Sequence, residues 1–464
     1  MRARYRCVTM RMTRRTLLIG AGAGVLGVLL ASCTPEPVPS PTPDRSPSPR
    51  PTGSTIAPLA FARSRWASDP FALGSASFTP AGVQASARDA LAASVDGRLF
   101  FAGEATDADA PGTMSGALRS GTRAAEELLA AAEYGERIAI VGAGLAGAAA
   151  AARLSGTGFE LTVFDARDRV GGRVQSVVDE KSWPVPAQLG GWLLGAQDAD
   201  VSEQLNALDI RTGSLSASLW KSTEGDVEPV ADQVLTDAIA SAQALPADIP
   251  LAQALTDAGA DPAEPGLAAL LASLSASSGS DADQASSWFP PVIPPAERTA
   301  VLGDLGALAA HLLDDVKTSL SSPVSRVAYD DAGVSLGIAT GESLSFDRVV
   351  ITVPLGVLQS DGIEFSPKLP FGQRGAIADL SMGFIETVWL RFEEPLLVTD
   401  AAIWHVVGGD ATIRTWFNLA PLTGENILVG LVGGADAADF ADLDDDAVLA
   451  AAAASLAPFL APAS

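Results

Sequence analysis

Arg137-Ile-Ala-Ile-Val141, then Gly142-Ala-Gly144-Leu145-Ala146-Gly147, then an alanine-rich run to Leu154, then Phe159-Glu-Leu-Thr-Val-Phe164 and Asp165: this stretch decides the fold. It reads as strand, glycine turn, helix, strand, acid. The first glycine permits the tight turn. The second lets backbone approach a pyrophosphate. The third lets helix and strand pack closely, and the helix N-terminus offers amide donors and a positive dipole end to phosphates. Asp165 stands 18 residues after Gly147, where a carboxylate accepts hydrogen bonds from a ribose. A glycine fingerprint alone arises by chance in Ala/Gly-rich helices. Here the preceding strand, the following helix, the second strand and the terminal acid supply the context a dinucleotide site needs.

The next residues narrow the ligand. Ala166-Arg167-Asp-Arg-Val-Gly171-Gly172-Arg173 resembles the extended signature of flavoproteins. That resemblance implies a second glycine pair and an arginine reaching the cofactor phosphates, which NAD enzymes usually lack. The implied cofactor is FAD, and the fold class is α/β, a Rossmann-like domain with a parallel sheet.

Length and composition set outer bounds. The 464 residues suggest two or three domains, and 48 % apolar residues suffice for a large core. A net charge of −25 argues against nucleic acid as a partner. Cys7 and Cys33 are the only cysteines, both ahead of the globular part. That excludes a disulfide framework, a thiolate metal site and a cysteine nucleophile in the folded body. His311 and His405 are the only histidines, too few for a histidine-rich metal site, and read as ordinary structural or surface residues.

Residues 1–33 read as an export segment. Arg2, Arg4, Arg6, Arg11, Arg14 and Arg15 form a basic front, and Thr13-Arg14-Arg15-Thr16-Leu17-Leu18 resembles a twin-arginine signal. The apolar run Leu17 to Ala31 is short for a membrane span of roughly 20 residues. Leu30-Ala31-Ser32-Cys33 resembles a bacterial lipobox, with Cys33 lipidated. The expectation is a protein exported already folded around its flavin and held by a lipid on the outer face of the bacterial cytoplasmic membrane. Residues 34–55, rich in Pro and Ser, read as an extended tether.

The body then opens with Arg65-Trp66 and continues through Phe71, Gly74 and Phe78. Arg98-Leu-Phe-Phe-Ala-Gly103-Glu104-Ala-Thr106 reads as a buried strand ending in an acid, and Pro111-Gly112-Thr113-Met114-Ser-Gly116 opens a helix running to about Ala132. These residues resemble the C-terminal end of the flavin-containing amine oxidases, the monoamine and polyamine oxidases and their bacterial relatives. In that family the segment closes the chain; here it precedes the glycine fingerprint. From Ile56 on, the resemblance covers nearly the whole chain in rotated order, as in a circular permutation. The local reading agrees. Strand Leu99–Ala102, the helix from Met114 and strand Ile138–Val141 form one βαβ crossover, with Glu133 to Arg137 as a short loop. The two strands are predicted to be adjacent and parallel, with Glu104 pointing into the cofactor site and Leu460 finishing near Pro58.

The domains follow as an FAD-binding part over 56–196 (56–135 joined to 136–196), a helical part of a substrate domain over 197–320, FAD-domain strands over 321–354, and the α+β substrate domain, with mixed sheet and helices, over 355–464. Within these, Gly190, Gly191 and Trp192 match the family loop that passes near the flavin ring. The segment Ser322 to Pro354 reads as three short strands, and the resemblance implies adenine contact at Val324 and a cofactor role for Pro354. With these, the resemblance and the fingerprint together assign cofactor binding to Gly142, Gly144, Leu145, Ala146, Gly147, Asp165, Ala166, Arg167, Gly171, Gly172, Arg173, Glu104, Thr113 and Met114.

The chemistry so implied is hydride removal from the carbon next to an amine nitrogen, hydrolysis of the imine, and reoxidation by oxygen to give hydrogen peroxide. No protein acid or base is strictly required. Three positions depart from the family pattern. Thr387 stands where many members place a lysine that holds a water by the flavin. Ala76 and Thr113 stand at the positions of the monoamine oxidases' two cage tyrosines. Ser75 stands where some relatives attach flavin through cysteine, so FAD should be non-covalent. The acidic charge could steer cationic amines. Three readings remain open: an amine oxidase, an amino-acid oxidase or desaturase-like dehydrogenase of the same fold, and a flavin-binding lipoprotein without turnover.

Overall fold

A computed structural model describes residues 56–460; the export segment, Cys33 and the tether lie outside them. Arg137–Val141 is buried at four of its five positions, the near-continuous apolar pattern of a parallel strand covered on both faces. It lies in a five-stranded sheet in the order Thr318–Ser319, Glu160–Phe164, Arg137–Val141, Arg348–Ile351, Leu99–Phe101, with every neighbour parallel. The predicted adjacency of Leu99–Ala102 and Ile138–Val141 is thereby corrected: they share the sheet, but Arg348–Ile351 lies between them. The 18-residue crossover helix Met114–Ala131 is long enough to step over one strand. Val349-Val350-Ile351 fills the vacated slot with an equally apolar edge.

On one face of this sheet, Met114–Ala131 packs against the fingerprint helix Leu145–Leu154. Leu118, Ala124, Ala125 and Leu128 meet Ala148, Ala151 and Leu154 over Ile138, Ile140 and Val350. On the other face, Leu99, Phe101, Ala139, Val141 and Ile351 meet Val327, Tyr329, Val334, Leu336 and Ile338. The latter belong to a four-stranded sheet of Ser343–Phe346, Gly333–Ile338, Val324–Asp330 and Glu364–Ser366. Gly333–Ile338 alternates between part-buried and buried side chains, the period of a strand with one packed face. Ser322 to Pro354 thus holds four strands rather than three, because Phe346 ends one and Arg348 starts another that turns into the parallel sheet.

The other half is built on a seven-stranded sheet, Ala60–Arg63, Ile385–Arg391, Ile427–Gly433, Thr415–Asn418, Ile403–Val406, Ser218–Ser222 and Gly225–Asp226. All pairs are antiparallel except Ser218–Ser222 with Ile403–Val406. Helices Gln233–Gln243, Leu251–Asp257 and Pro265–Ser278 bury Leu235, Leu251, Leu255 and Leu270 in one cluster with Trp220 of this sheet. The stretch read as helical also contains Thr212–Leu215, Ser218–Ser222 and Arg298–Val301 as strands; runs of four or five residues are too short to show against a helix-rich background. Leu193–Leu194, Arg298–Val301 and Thr212–Leu215 form a small sheet. Ile56 and Phe61 pack into the cluster that holds Leu456 and Phe459 of helix Asp445–Leu460. Among the described residues no helix is long and apolar enough to cross a membrane.

Candidate functional site

A cavity of about 690 Å³ opens where the parallel strands end and the seven-stranded sheet begins. Residues just beyond three strand carboxyl ends, Gly103, Gly142 and Thr352, stand on its wall, where ligands meet open α/β sheets. The glycine turn is built as its residue types require. Gly142 has φ +113°, and a Cβ there would lie 2.4 Å from Thr352 Oγ1. A Cβ on Gly147 would lie 1.9 Å from the Gly142 carbonyl oxygen. Gly147 therefore brings helix against strand and does not reach the cavity wall. A Cβ on Gly144 would find nothing nearer than Gly172 Cα at 3.8 Å. That open space belongs to the cavity, and the helix beginning at Leu145 has no side-chain cap on its first amides. An uncapped helix N-terminus over a glycine cradle fits a pyrophosphate.

The second glycine pair locks onto the first. Gly171 N donates to the Ala143 carbonyl at 2.8 Å, and Gly171 and Gly172 take φ +94° and +59°. Asp165 is buried, and its two oxygens accept from Ala143 N at 2.7 Å and Arg167 N at 2.8 Å. It thus ties the glycine turn to the end of Glu160–Phe164 from its position on the cavity wall. Arg167 pairs with Asp69 at 2.8 Å and lies over Phe71. Leu145, Ala146, Ala166, Val324 and Pro354 also stand on the wall.

Glu104 joins the two segments. Its carboxylate accepts from Arg173 Nη1 at 2.8 Å, Ser77 Oγ at 2.7 Å and Gly112 N at 2.7 Å. Burial pushes this carboxyl up, but the Arg173 charge, hydrogen bonds from Ser77 and Arg173, and the Arg88 charge outweigh it and hold the group below its ordinary value. Arg173 also donates to the Ser75 carbonyl at 2.8 Å. Both Glu104 and Arg173 face the cavity, but as a closed pair, so neither is a free charge. Thr113 caps the helix from Met114: its Oγ1 accepts from Gly116 N at 3.0 Å and donates to the Ala110 carbonyl at 2.8 Å. Met114 is buried on the same wall.

Gly190 could not bear a side chain, because its Cβ would lie 1.6 Å from the Arg173 carbonyl oxygen. That contact presses Gly190, Gly191 and Trp192 along the cavity. Trp192 meets Trp389 and Phe417 edge-on, each at 5.4 Å. Ala76 and Thr387 also line the cavity. Thr387 Oγ1 is buried without a hydrogen-bond partner among the described residues. Ser75 Oγ is bound to the Ile385 backbone, accepting from its N and donating to its O, both at 2.8 Å.

Of the residues assigned from sequence to the cofactor or the substrate pocket, only Gly147 stands behind the wall instead of on it. The sequence reading missed Arg298, Trp66, Phe71 and the apolar rim Val292, Pro294 and Pro295. Trp66 and Phe71 lie within the segment carrying the family resemblance; Arg298 sits in a four-residue strand with no motif around it. Asp198 is also on the wall, engaged by Gly195 N at 3.0 Å and Ser115 N at 3.2 Å. Burial pushes its carboxyl up, against those two bonds. Among the described residues no group of three His, Cys, Asp or Glu gathers as a metal site. With its acids engaged and no histidine on the wall, the cavity can hold and orient a cofactor and a substrate but offers no free acid–base pair.

The chain matches the model of the flavin containing amine oxidoreductases over residues 52–129 and 258–464. Between these stretches it matches the NAD(P)-binding Rossmann-like domain over 140–205. It is 27 % identical over 344 residues to polyamine oxidase 4 of Oryza sativa subsp. japonica, covering 66 % of this chain and 69 % of that one. It is 26 % identical to lysine-specific histone demethylase 2 of Homo sapiens, covering 74 % of this chain and 46 % of that one. Its fold is similar to cyclohexylamine oxidase from Brevibacterium oxydans, with TM-score 0.57 and 19 % identity over 70 % of this chain and 81 % of that one. A putrescine oxidase variant superposes with TM-score 0.57 at 19 % identity over 71 % of this chain and 82 % of that one.

Proposed function

The chain belongs to the flavin containing amine oxidoreductases, and from that premise we propose that it oxidises the carbon–nitrogen bond of a small amine with oxygen as acceptor, releasing hydrogen peroxide. FAD is the cofactor of this oxidoreductase. The observation that carries the reading is the single cavity shared by the Gly142 turn and the Glu104–Arg173 pair. When bound, FAD supplies a two-electron acceptor that takes a hydride from the substrate.

The chain's own residues do the rest. The Leu145 helix N-terminus and the Gly144–Gly172 cradle would hold the pyrophosphate, and Asp165, which keeps the turn in shape through Ala143 N and Arg167 N, would face the ribose. The Glu104–Arg173 pair, Met114 and the Gly190–Trp192 loop would position the ring. The apolar wall of Trp192, Ile385 and Leu431 favours the neutral amine, its proton left in solvent on entry, and keeps bulk water from the substrate carbon while it loses hydride to leave an iminium. Water then adds to the imine to give carbonyl compound and free amine or ammonia. With Ser75 hydrogen-bonded to Ile385 and no cysteine in the body, the flavin is held without a covalent bond.

Thr387 favours a second reading, a dehydrogenase of the same fold whose electrons leave to an acceptor other than oxygen. Anaerobic mixing of the flavin-loaded protein with amines, polyamines and amino acids, followed by oxygen, tests both. Bleaching by a substrate supports the oxidoreductase reading, rapid return of colour with peroxide supports oxygen as acceptor, and no bleaching with any of them would leave a flavin-binding lipoprotein. The reading places the enzyme outside the cytoplasm, held by lipid on Cys33; Cys33→Ser should then move it from membrane to soluble fraction.

A further inference from the structure

Arg298 opens the short strand Arg298–Val301 and is 7 % exposed. Its Nη2 donates to Ser273 Oγ at 3.1 Å, and the guanidinium lies over the Phe417 ring at 5.3 Å. Nε and Nη1 are buried with no hydrogen-bond partner, and no carboxylate forms an ion pair with Arg298 among the described residues. A buried cation that no carboxylate pairs with directly is costly, as is a buried donor without an acceptor. Trp192, whose ring meets the same Phe417 ring edge-on at 5.4 Å between centroids, has a second unmatched donor: its Nε1 is buried and without a partner among the described residues. Arg298 and Trp192 both stand on the cavity wall.

The surroundings leave this patch positive. Burial pushes Arg298 down to about 10, with Asp232 opposing, so it stays protonated at neutral pH. His405 is pushed down to about 3 by burial and by the Arg298 charge, so it stays neutral. The acids on the wall, Glu104, Asp165 and Asp198, each already accept hydrogen bonds from within the chain. An ammonium group brought beside Arg298 meets a like charge, whereas a carboxylate meets an opposite one and offers acceptors to the unmet donors once those side chains turn toward the cavity. The patch also lies apart from the phosphate cradle: Ser273 and Phe417 belong to helix Pro265–Ser278 and the seven-stranded sheet.

We propose that Arg298 and Trp192 form an anion subsite on the substrate side of the cavity, and that the amine oxidised here carries a carboxylate: an amino acid rather than a bare mono- or polyamine. The proposal rests on the amine-oxidation reading above and changes only what is recognised, not which bond is oxidised. A zwitterion carries no net charge, so the chain's −25 neither draws it in nor repels it to first order.

Matched pairs test it: phenethylamine against phenylalanine, and putrescine against ornithine, each followed by anaerobic bleaching of the flavin-loaded full chain. The carboxylated member of a pair should bleach at the lower concentration. Benzoate, a carboxylate without an amine, should perturb the flavin spectrum and compete. Arg298→Gln should raise the half-saturating amino-acid concentration roughly ten- to a hundred-fold and collapse the amino-acid-to-amine ratio; Arg298→Lys, which keeps the charge, should recover part of it. If Arg298→Gln does not fold, the Lys variant and the wild-type ratio decide. Bare amines bleaching as well as their partners, with benzoate silent, would overturn the subsite and leave amine oxidation standing. Bleaching by neither member of a pair would overturn the amine-oxidation reading, while benzoate binding that Arg298→Gln abolishes would still sustain the subsite.

Discussion

Glu386, fully buried between Ser64 and the Ala67 amide, ties stability to pH near neutrality. Burial pushes its carboxyl up to about 7 from an ordinary 4.5, against hydrogen bonds from Ser64 and Ala67 and the Arg63 charge. Between those two values the folded chain keeps a proton that the unfolded chain releases, so stability falls as pH rises through the window. Glu386→Gln cannot ionise. Its stability relative to wild type should climb from pH 4.5 to pH 7 and then level off, by on the order of 3 kcal/mol, in denaturant unfolding at pH 5 and pH 8. A flat difference between the two would mean Glu386 is ionised in the fold. Asp165 makes the complementary case. Asp165→Ala removes both the acceptor of Ala143 N and that of Arg167 N, so it should loosen the glycine turn as well as lose any ribose contact. Loss of the two internal bonds should lower stability, and FAD affinity should drop by about 1.5–3 kcal/mol for a charge-assisted ribose bond lost with them, read by flavin fluorescence titration. The glycines and Asp165 were legible because their roles are set by neighbours in sequence. Arg298 was not, because its burial and its missing partner are products of elements far apart in the chain.

Among the elements, the contact between Met114–Ala131 and Leu145–Leu154 leaves no room for a side chain at its crossing point. A Cβ at Gly121 would lie 2.1 Å from the Ala146 carbonyl oxygen, backbone that cannot move without shifting the N-terminus of the fingerprint helix. Gly121→Val should therefore cost about 1–3 kcal/mol by overpacking and weaken FAD binding together with stability. Gly375→Ala is the control: it lies in helix Phe371–Asp379 with open space around its Cβ, and should be neutral or stabilising by up to about 1 kcal/mol. If both variants melt alike, the close approach is not what holds the helices. Both helices and the strands beside them could be read from the chain, since periodicity and glycine spacing are local. The order of strands could not. Leu99-Phe-Phe101 and Val349-Val-Ile351 are equally apolar and equally short, and only the packing of both sheet faces assigns the middle place to the second.

At the scale of the whole molecule, the sheet is completed by a strand from residues 56–135 and the cavity by Glu104 from the same segment. A remnant of another copy fused ahead of the fingerprint would have no reason to supply both. We therefore propose that the chain is a circular permutation of its family's order, with the former ends joined at one junction and a former connection opened at the other. One junction is the exposed loop from Glu133 to Glu136, where Tyr134 is 89 % exposed. The other is the pair Leu460 and Ile56: Ile56 packs into the cluster of Leu456 and Phe459, while Arg63 donates to the carbonyls of Phe440, Ala441 and Leu443, each at 3.0 Å. A chain rearranged to start at Arg137, run to Leu460, and continue through a short Gly/Ser linker into residues 56–132 should keep every contact of the cavity. The local loop entropies change little when one short connection replaces another. Such a chain should bind FAD with the spectrum of the original and melt within a few degrees of it. Cutting the original at the Tyr134 loop should likewise leave the two pieces associated and yellow, because Leu99–Phe101 remains hydrogen-bonded beside Arg348–Ile351. A rearranged chain that folds but takes up no flavin, or a nicked one whose short piece washes away with the colour retained on the long one, would show that residues 56–132 do not complete this site, and the permutation would fall.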